Sequence, residues 1–382
     1  MTAAPFRMTF IITDLLTGGA ELMLARLLGA LDREKFAPRV IALIDDGPVG
    51  EKLRALGVPV ETLGLPPGSP LGAGRAVLQL TRMLRAERPV LVQTWMYHAD
   101  LLGGLAAKLA GAPVVWSIRN HALDPAVLKR STRMVVSLCA VLSRVIPQRV
   151  VTNAGATAQV HIEAGYDASR MVVIPNGFDL EIFKPDPSAR QWLRTELGLP
   201  PDTPLVGLAA RFDPMKDHRS FARAAGLAAL QNPAIHFVLF GEGVDPANPQ
   251  LTGWLQESGA APFTHLLGSR ADVPRLLAAL DVAALSSVGE AFSNVIAEAM
   301  ACGVPCAVTD VGDSALIVGQ TGRVSPPNDP AALAASWLEL LALPAAERQA
   351  LGAAARRRIV ENYSLAHSAA QFTDLYETLI RR

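Results

Sequence analysis

Short apolar runs of strand length alternate with helically spaced stretches from one end of the chain to the other. That alternation is the pattern of parallel sheets covered by helices on both faces. It predicts strands near 8–13, 39–44, 91–95, 113–118, 148–152 and 171–174, and a helix over Glu21–Leu31. The rhythm restarts with Leu205–Phe212, His236–Phe240, Asp281–Ser287 and Val304–Thr309. Between the two series lie Ile174-Pro175-Asn176-Gly177-Phe178-Asp179 and Lys184-Pro185-Asp186-Pro187, turn formers and prolines that break regular structure and mark a linker. At roughly 150 residues per domain, 382 residues make two doubly wound α/β domains, with a boundary between 183 and 184. In such sheets ligands bind at the carboxyl edge of the strands, so two of these domains facing each other would enclose a cleft.

Composition excludes several classes of function. Basic and acidic residues balance at 35 each, and half the residues are hydrophobic. The charged share, 18%, falls below the average for soluble proteins, which fits a core-rich chain and leaves no global charge for binding nucleic acid. The apolar start reaches Asp14 too soon for a signal segment. The longest apolar-leaning run, Met134–Leu142, is short of the roughly 20 residues that cross a bilayer. The expectation is a cytoplasmic protein, soluble or peripheral to a membrane. Cys139, Cys302 and Cys306 form no disulfide framework and suit a reducing compartment, and no metal site is expected.

Three stretches carry the chemistry. In Ser286-Ser287-Val288-Gly289-Glu290-Ala291-Phe292-Ser293-Asn294 a strand ends, a loop follows, and a helix starts near Ser293 or Asn294, running to Gly303. A helix start favours phosphate. Glu290 in the loop and Glu298 about one turn inside the helix offer two carboxylates to vicinal hydroxyls, as on a sugar or ribose. Upstream, the strand from Leu205 ends in Arg211-Phe212-Asp213-Pro214-Met215-Lys216-Asp217-His218. Arg211 and Lys216 could grip a diphosphate, and the alternative is a solvated loop paired locally to Asp213 or Asp217. Near the start, Thr17-Gly18-Gly19-Ala20-Glu21 opens the first helix and lets a ligand approach the backbone, without a dinucleotide or ATP fingerprint.

With these features in this order, the chain resembles glycosyltransferase family 4, retaining nucleotide-sugar-dependent enzymes of GT-B architecture. The resemblance is specific from about Leu205 to Asp329, where Thr321–Pro327 looks like the family's turn after the nucleotide-binding helices, and looser elsewhere. It implies two Rossmann-like domains, 1–183 and 184–363, with a final helix in 364–382 crossing back to the first domain. Ser364 can cap that helix, and Phe372, Leu375, Tyr376, Leu379 and Ile380 share one face of it. The resemblance further implies that Arg211 and Lys216 hold the leaving diphosphate, that Glu298 binds the ribose, and that Glu290 contacts the transferred sugar. Backbone around Ala291, Phe292, Ser293 and Asn294 would meet sugar and phosphate, and Gly18 and Gly19 would approach the diphosphate from the other domain. No cofactor is implied beyond the donor, for which a uridine diphosphate sugar is the expectation.

Two positions depart from the family pattern. Arg119 stands where many relatives carry a histidine, so His98 or His121 is the candidate for the sugar, His98 following a strand end. Leu316 replaces an acidic residue often seen in relatives. On the acceptor side, Arg119, Lys129, Arg130, Arg133, Arg144 and Arg149 against the single acid Asp124, interleaved with apolar residues, could lie on an anionic membrane that holds a lipid-linked acceptor. An ordinary helix with a solvated edge is the alternative. The function expected is transfer of a sugar to a hydroxyl of a glycan or lipid-linked acceptor. The rivals are a non-catalytic nucleotide-sugar-binding module and another GT-B enzyme, such as an epimerase or a phosphorylase.

Overall fold

The computed structural model describes residues 4–66, 70–120, 123 and 128–381. They form two compact units, the first running to Gly177 and resuming at Leu365, the second being Phe178–Ser364. The first holds a parallel sheet of strands β1 (Phe6–Ile12), β2 (Phe36–Ala42), β3 (Val60–Thr62), β4 (Leu91–Trp95), β5 (Val114–Ile118), β6 (Arg149–Thr152) and β7 (Met171–Val173). Their spatial order is β3-β2-β1-β4-β5-β6-β7. The second holds β8 (Leu205–Ala209), β9 (His236–Phe240), β10 (Thr264–Leu266), β11 (Val282–Leu285), β12 (Cys306–Thr309) and β13 (Gly322–Ser325). These lie in the order β10-β9-β8-β11-β12-β13.

Helices cover both faces of each sheet, so the central strands are apolar almost throughout, as β5, β9 and β11 show in sequence. In the second unit Trp337 packs 4.9 Å from Phe221 and 5.8 Å from Phe237, ring centre to ring centre, at the middle of the core. The strands that pattern reading passed over are β3, β10 and β13, each of three or four residues. The last falls inside Thr321–Pro327, expected as a turn. It is a strand because Gly322–Ser325 pairs in parallel with Cys306–Thr309.

The unit boundary falls at Gly177, six residues earlier than the expected break after 183. Phe178 is fully buried, stacks 5.9 Å from Phe292, and donates its N–H to the Tyr363 carbonyl, all within the second unit. Phe183 is buried there too, and its carbonyl accepts from Arg356. The anchoring aromatics, not the prolines, therefore decide where the chain changes unit.

The last helix, Leu365–Ile380, starts directly after Ser364 and packs in the first unit, as expected. Its buried face is Phe372, Tyr376 and Leu379. Phe372 stacks on Trp95 at 6.4 Å, and Tyr376 meets Phe36 and Phe10 edge-on at 5.9 and 6.4 Å. The Tyr376 hydroxyl donates to Gln93 Oε1, and Ser368 Oγ donates to the Pro175 carbonyl at 2.8 Å. Tyr376→Ala empties a fully buried aromatic site and should destabilise the first unit by about 3–5 kcal/mol, read as a drop in the urea midpoint.

Candidate active site

In the second sheet β8 and β11 are neighbours, paired through Val206–Val282 and Gly207–Ala283, while β9 and β10 lie to one side and β12 and β13 to the other. Strand order reverses there, so the loops leaving β8 and β11 diverge and open a crevice at the carboxyl edge. Those two loops carry Arg211, Lys216 and Glu290.

The β8 loop is folded by its own side chains. Asp213 caps the single turn Pro214–Lys216 by accepting from the Met215 N–H at 2.9 Å. Asp217 takes a left-handed conformation (φ 44°) and caps the helix His218–Gln231 through the Ser220 N–H. This double cap ends the turn on Lys216 and directs its side chain across to the β11 loop. Lys216 Nζ lies 2.5 Å from Glu290 Oε1, and Ser287 Oγ donates to that same oxygen at 2.7 Å. Ser286 Oγ donates to the Lys216 carbonyl at 2.8 Å, and the Val288 N–H donates to the Met215 carbonyl at 2.9 Å. The lysine and glutamate side chains are only 24% and 10% exposed, so this ion pair is partly withdrawn from water.

Arg211 behaves differently. Its side chain is 64% exposed, and Nε and Nη2 both donate to Asp213 Oδ2, at 3.2 and 3.1 Å. This is the local pairing that the loop alone suggested. The structure thus joins Lys216 to Glu290 and leaves Arg211 with its own loop.

Beyond Glu290 the chain enters the helix Asn294–Ala301 with Ser293 at its cap position. The helix stops at Gly303 (φ 80°), whose N–H bonds the Met300 carbonyl while that of Val304 bonds Ala299, a closed C-terminal motif. The Phe292 ring is buried against Phe178 and Tyr363, so only its backbone is available to a ligand. Ser293 Oγ is hydrogen-bonded to Ser314 Oγ at 2.6 Å instead of capping the helix. Ala291 and Asn294 are half-buried, as is Glu298 one turn inside. A Cβ at Gly312 (φ 54°) would stand 2.2 Å from the Glu290 carbonyl oxygen, so only glycine lets the two loops close on each other. Leu316 is exposed on the short helix Ser314–Val318.

The first unit repeats the topology, its order reversing between β1 and β4. Gly18 and Gly19 follow β1 and open the helix Gly19–Ala30. That helix start is covered from inside: a Cβ on Gly18 would lie 2.2 Å from Glu21 Oε2, and burial raises the Glu21 carboxyl above its ordinary range. After β4, Met96 holds an unusual backbone (φ 75°, ψ 158°), pinned by bonds from its N–H to Ser117 and from the Asp100 N–H to its carbonyl. It leads into the helix Tyr97–Ala110, whose second residue is His98. His98 is half-buried, and desolvation lowers its pKa, keeping the imidazole neutral near pH 7. Arg119 follows β5, lies 4.0 Å over the Trp95 ring and donates to Ser117 Oγ and Asn176 Oδ1. His121 lies outside the described residues, as does Asp124.

Sequence reading did not assign Ser286 and Ser287 a part in this site, nor Met215, which packs on Gly289. The two serines could be placed only by their position at a strand's carboxyl end, and Met215 lies in the turn Pro214–Lys216. Among the described residues no group of three or more His, Cys, Asp or Glu could hold a metal ion.

His218, beside Lys216, is almost fully buried against Phe212 and its pKa is pushed down from 6.5 to about 4, chiefly by desolvation. Between those values the unfolded chain carries the proton and the folded one does not, so stability falls as pH drops from about 6.5 towards 4. Urea midpoints across that window should decline, and His218→Gln should flatten part of the decline.

The sequence matches the family model described as Glycosyl transferases group 1 over residues 203–342 and the model Glycosyltransferase Family 4 over residues 17–182. It is 28% identical over 248 residues to a UDP-Gal:alpha-D-GlcNAc-diphosphoundecaprenol alpha-1,3-galactosyltransferase of Escherichia coli, covering 64% of either protein. A D-inositol 3-phosphate glycosyltransferase of Thermobispora bispora is 28% identical over 334 residues, 80% of this chain and 74% of that one. In structure the chain is similar to Anabaena Alr3699/HepE in complex with UDP, with a TM-score of 0.86 at 24% identity over 97% of this chain and 100% of that one. Two matched models spanning both units and a shared GT-B fold lead to one conclusion: the chain belongs to glycosyltransferase family 4.

Proposed function

We propose that this protein transfers a sugar from a nucleoside diphosphate sugar to a hydroxyl of a glycan or lipid-linked acceptor, with retention at the anomeric carbon, in cell-surface polysaccharide or glycolipid synthesis. The observation that carries this reading is the placement of Lys216 beside Glu290 where the second sheet reverses its strand order. When the bond between sugar and diphosphate breaks, its electrons stay on the departing phosphate oxygen, and the new charge must be met by fixed positive groups. Lys216 and Arg211 supply cations, and the start of the helix Asn294–Ala301 supplies N–H groups. Glu290 would hold hydroxyls of the transferred sugar and Glu298 those of the ribose, with backbone at 291–294 lining the sugar and phosphate. Gly18, Gly19 and His98 would act from the first unit, His98 in its neutral form.

A binding module or an epimerase would need the same nucleotide grip, but neither would join sugar to an acceptor, so product analysis separates the three. Uridine is the proposed base, supported by the UDP in the names of the Escherichia coli and Anabaena proteins. A thermal-shift screen of uridine, guanosine and adenosine diphosphate sugars should give its largest rise with a uridine donor. Lys216→Ala should abolish transfer while the protein still melts cooperatively as a folded chain. Since the charge is met by side chains and N–H groups, turnover should withstand a chelator, and strict dependence on magnesium would refute the scheme.

The acceptor side is read as a membrane-facing surface. On the helix Arg130–Leu142, Met134, Leu138 and Val141 are 63%, 51% and 70% exposed, and Val145 just beyond continues the same face at 58%. Lys129, Arg130 and Arg144, all exposed, flank it. An apolar stripe with basic flanks lies naturally on anionic lipid. No described helix is long and apolar enough to cross a membrane. The protein should float with phosphatidylglycerol vesicles and not with phosphatidylcholine ones, and Leu138→Glu with Val141→Glu should release it.

A further inference from the structure

The cations of the proposed donor site are already neutralised by the protein's own carboxylates: Arg211 by Asp213, and Lys216 by Glu290. The second pair is the informative one. It joins loops 74 residues apart, is the shorter at 2.5 Å, and is the more buried, so it is an ordered contact and not an exposed charge passing by. Such a pair competes with any incoming anion, because Lys216 cannot give its full charge to a phosphate while Glu290 holds it.

We propose that Glu290 is a built-in counter-anion that competes with the nucleoside diphosphate for Lys216, weakening the hold on nucleotide and so favouring its release after transfer. This rests on reading Lys216 as the diphosphate-holding cation. The surroundings of Glu290 suit the exchange. Ser287 Oγ donates to the same oxygen as Lys216 does, and Ser287 is itself fully buried and fixed through its carbonyl, which accepts from Thr309 Oγ1 at 2.7 Å. When Lys216 turns to a phosphate, Glu290 therefore keeps a hydrogen-bond donor and is not left as a bare carboxylate in a poorly hydrated place. The Lys216 backbone stays put meanwhile, its carbonyl held by Ser286 and its turn by Asp213. Only the ammonium end has to move.

The sign of the expected effect sets this apart from a simple binding role. Removing a contact residue weakens binding, whereas removing a competing counter-anion tightens it. The probe is UDP, titrated calorimetrically at fixed ionic strength with GDP and ADP in parallel and the tightest binder scored. UDP lacks the transferred sugar, so any contact of Glu290 with that sugar does not enter. Glu290→Gln keeps the shape and both hydrogen bonds while removing the charge, and should bind the nucleotide roughly five- to tenfold more tightly than the parent, with slower turnover. Lys216→Met should bind it more weakly. In Lys216→Met/Glu290→Gln the tightening should vanish, since it acts through the lysine.

Unchanged or weaker nucleotide binding by Glu290→Gln overturns the proposal. Tightening that persists in the double variant also overturns it, because the effect would then be general repulsion between carboxylate and phosphate. If Lys216→Met binds as the parent does, the reading of Lys216 itself fails. If only Lys216→Met behaves as expected, that reading stands and the counter-anion role falls. Melting curves of all three variants check that each is folded.

Discussion

A parallel strand can be followed by its neighbour only after the chain has crossed back over the sheet, and that constraint shapes everything described above. Each crossover leaves a strand at its carboxyl end and re-enters at the other, so every loop at one edge follows a strand and precedes a helix. Where successive crossovers run in opposite directions, at β1/β4 and at β8/β11, two such loops part and leave room for a ligand. Gly18, Gly19 and His98 follow the first pair of strands, and Arg211, Lys216 and Glu290 follow the second. The residues that sequence motifs single out are brought to these places by the topology of the two sheets.

Within the second unit, the polar contacts serve mainly to fix backbone. Asp213 and Asp217 cap consecutive turns, Ser286 ties one loop to the other, and Thr309 fixes Ser287 from the next strand. Aromatic packing does the same work from below, where Phe178, Phe292 and Tyr363 seat the loop on the core. Lys216 and Glu290 meet because both ends of the contact rest on backbone held in this way, which is the arrangement electrostatic preorganisation requires.

Much of this was legible in the sequence, for identifiable reasons. Central strands are buried on both faces and read as apolar runs, so β4, β5, β9 and β12 fall where the pattern placed them to within two residues. The edge strands β3, β10 and β13 are too short and too polar on one face to be told from turns, and only their pairing makes them strands. The boundary was misplaced because prolines speak locally while the burial of Phe178 depends on Phe292, more than a hundred residues away. At the site, residue types and loop positions could be read. The choice between Arg211 pairing locally and Lys216 pairing at a distance could not, because it depends on the direction each turn gives its side chain. Ser286 and Ser287 carried no distinguishing signal, since a serine at a strand end bonds whatever the fold brings within reach.

The helix Leu365–Ile380 completes the first unit although it is made after the whole of the second. On a ribosome that order matters. Phe178–Ser364 is continuous and can close its core as soon as it emerges, while the earlier segment must wait, with the surfaces of Trp95, Phe10 and Phe36 uncovered, until Phe372 and Tyr376 arrive. The core of the first unit therefore closes only with the last residues made, and its aromatic faces stay open until they arrive.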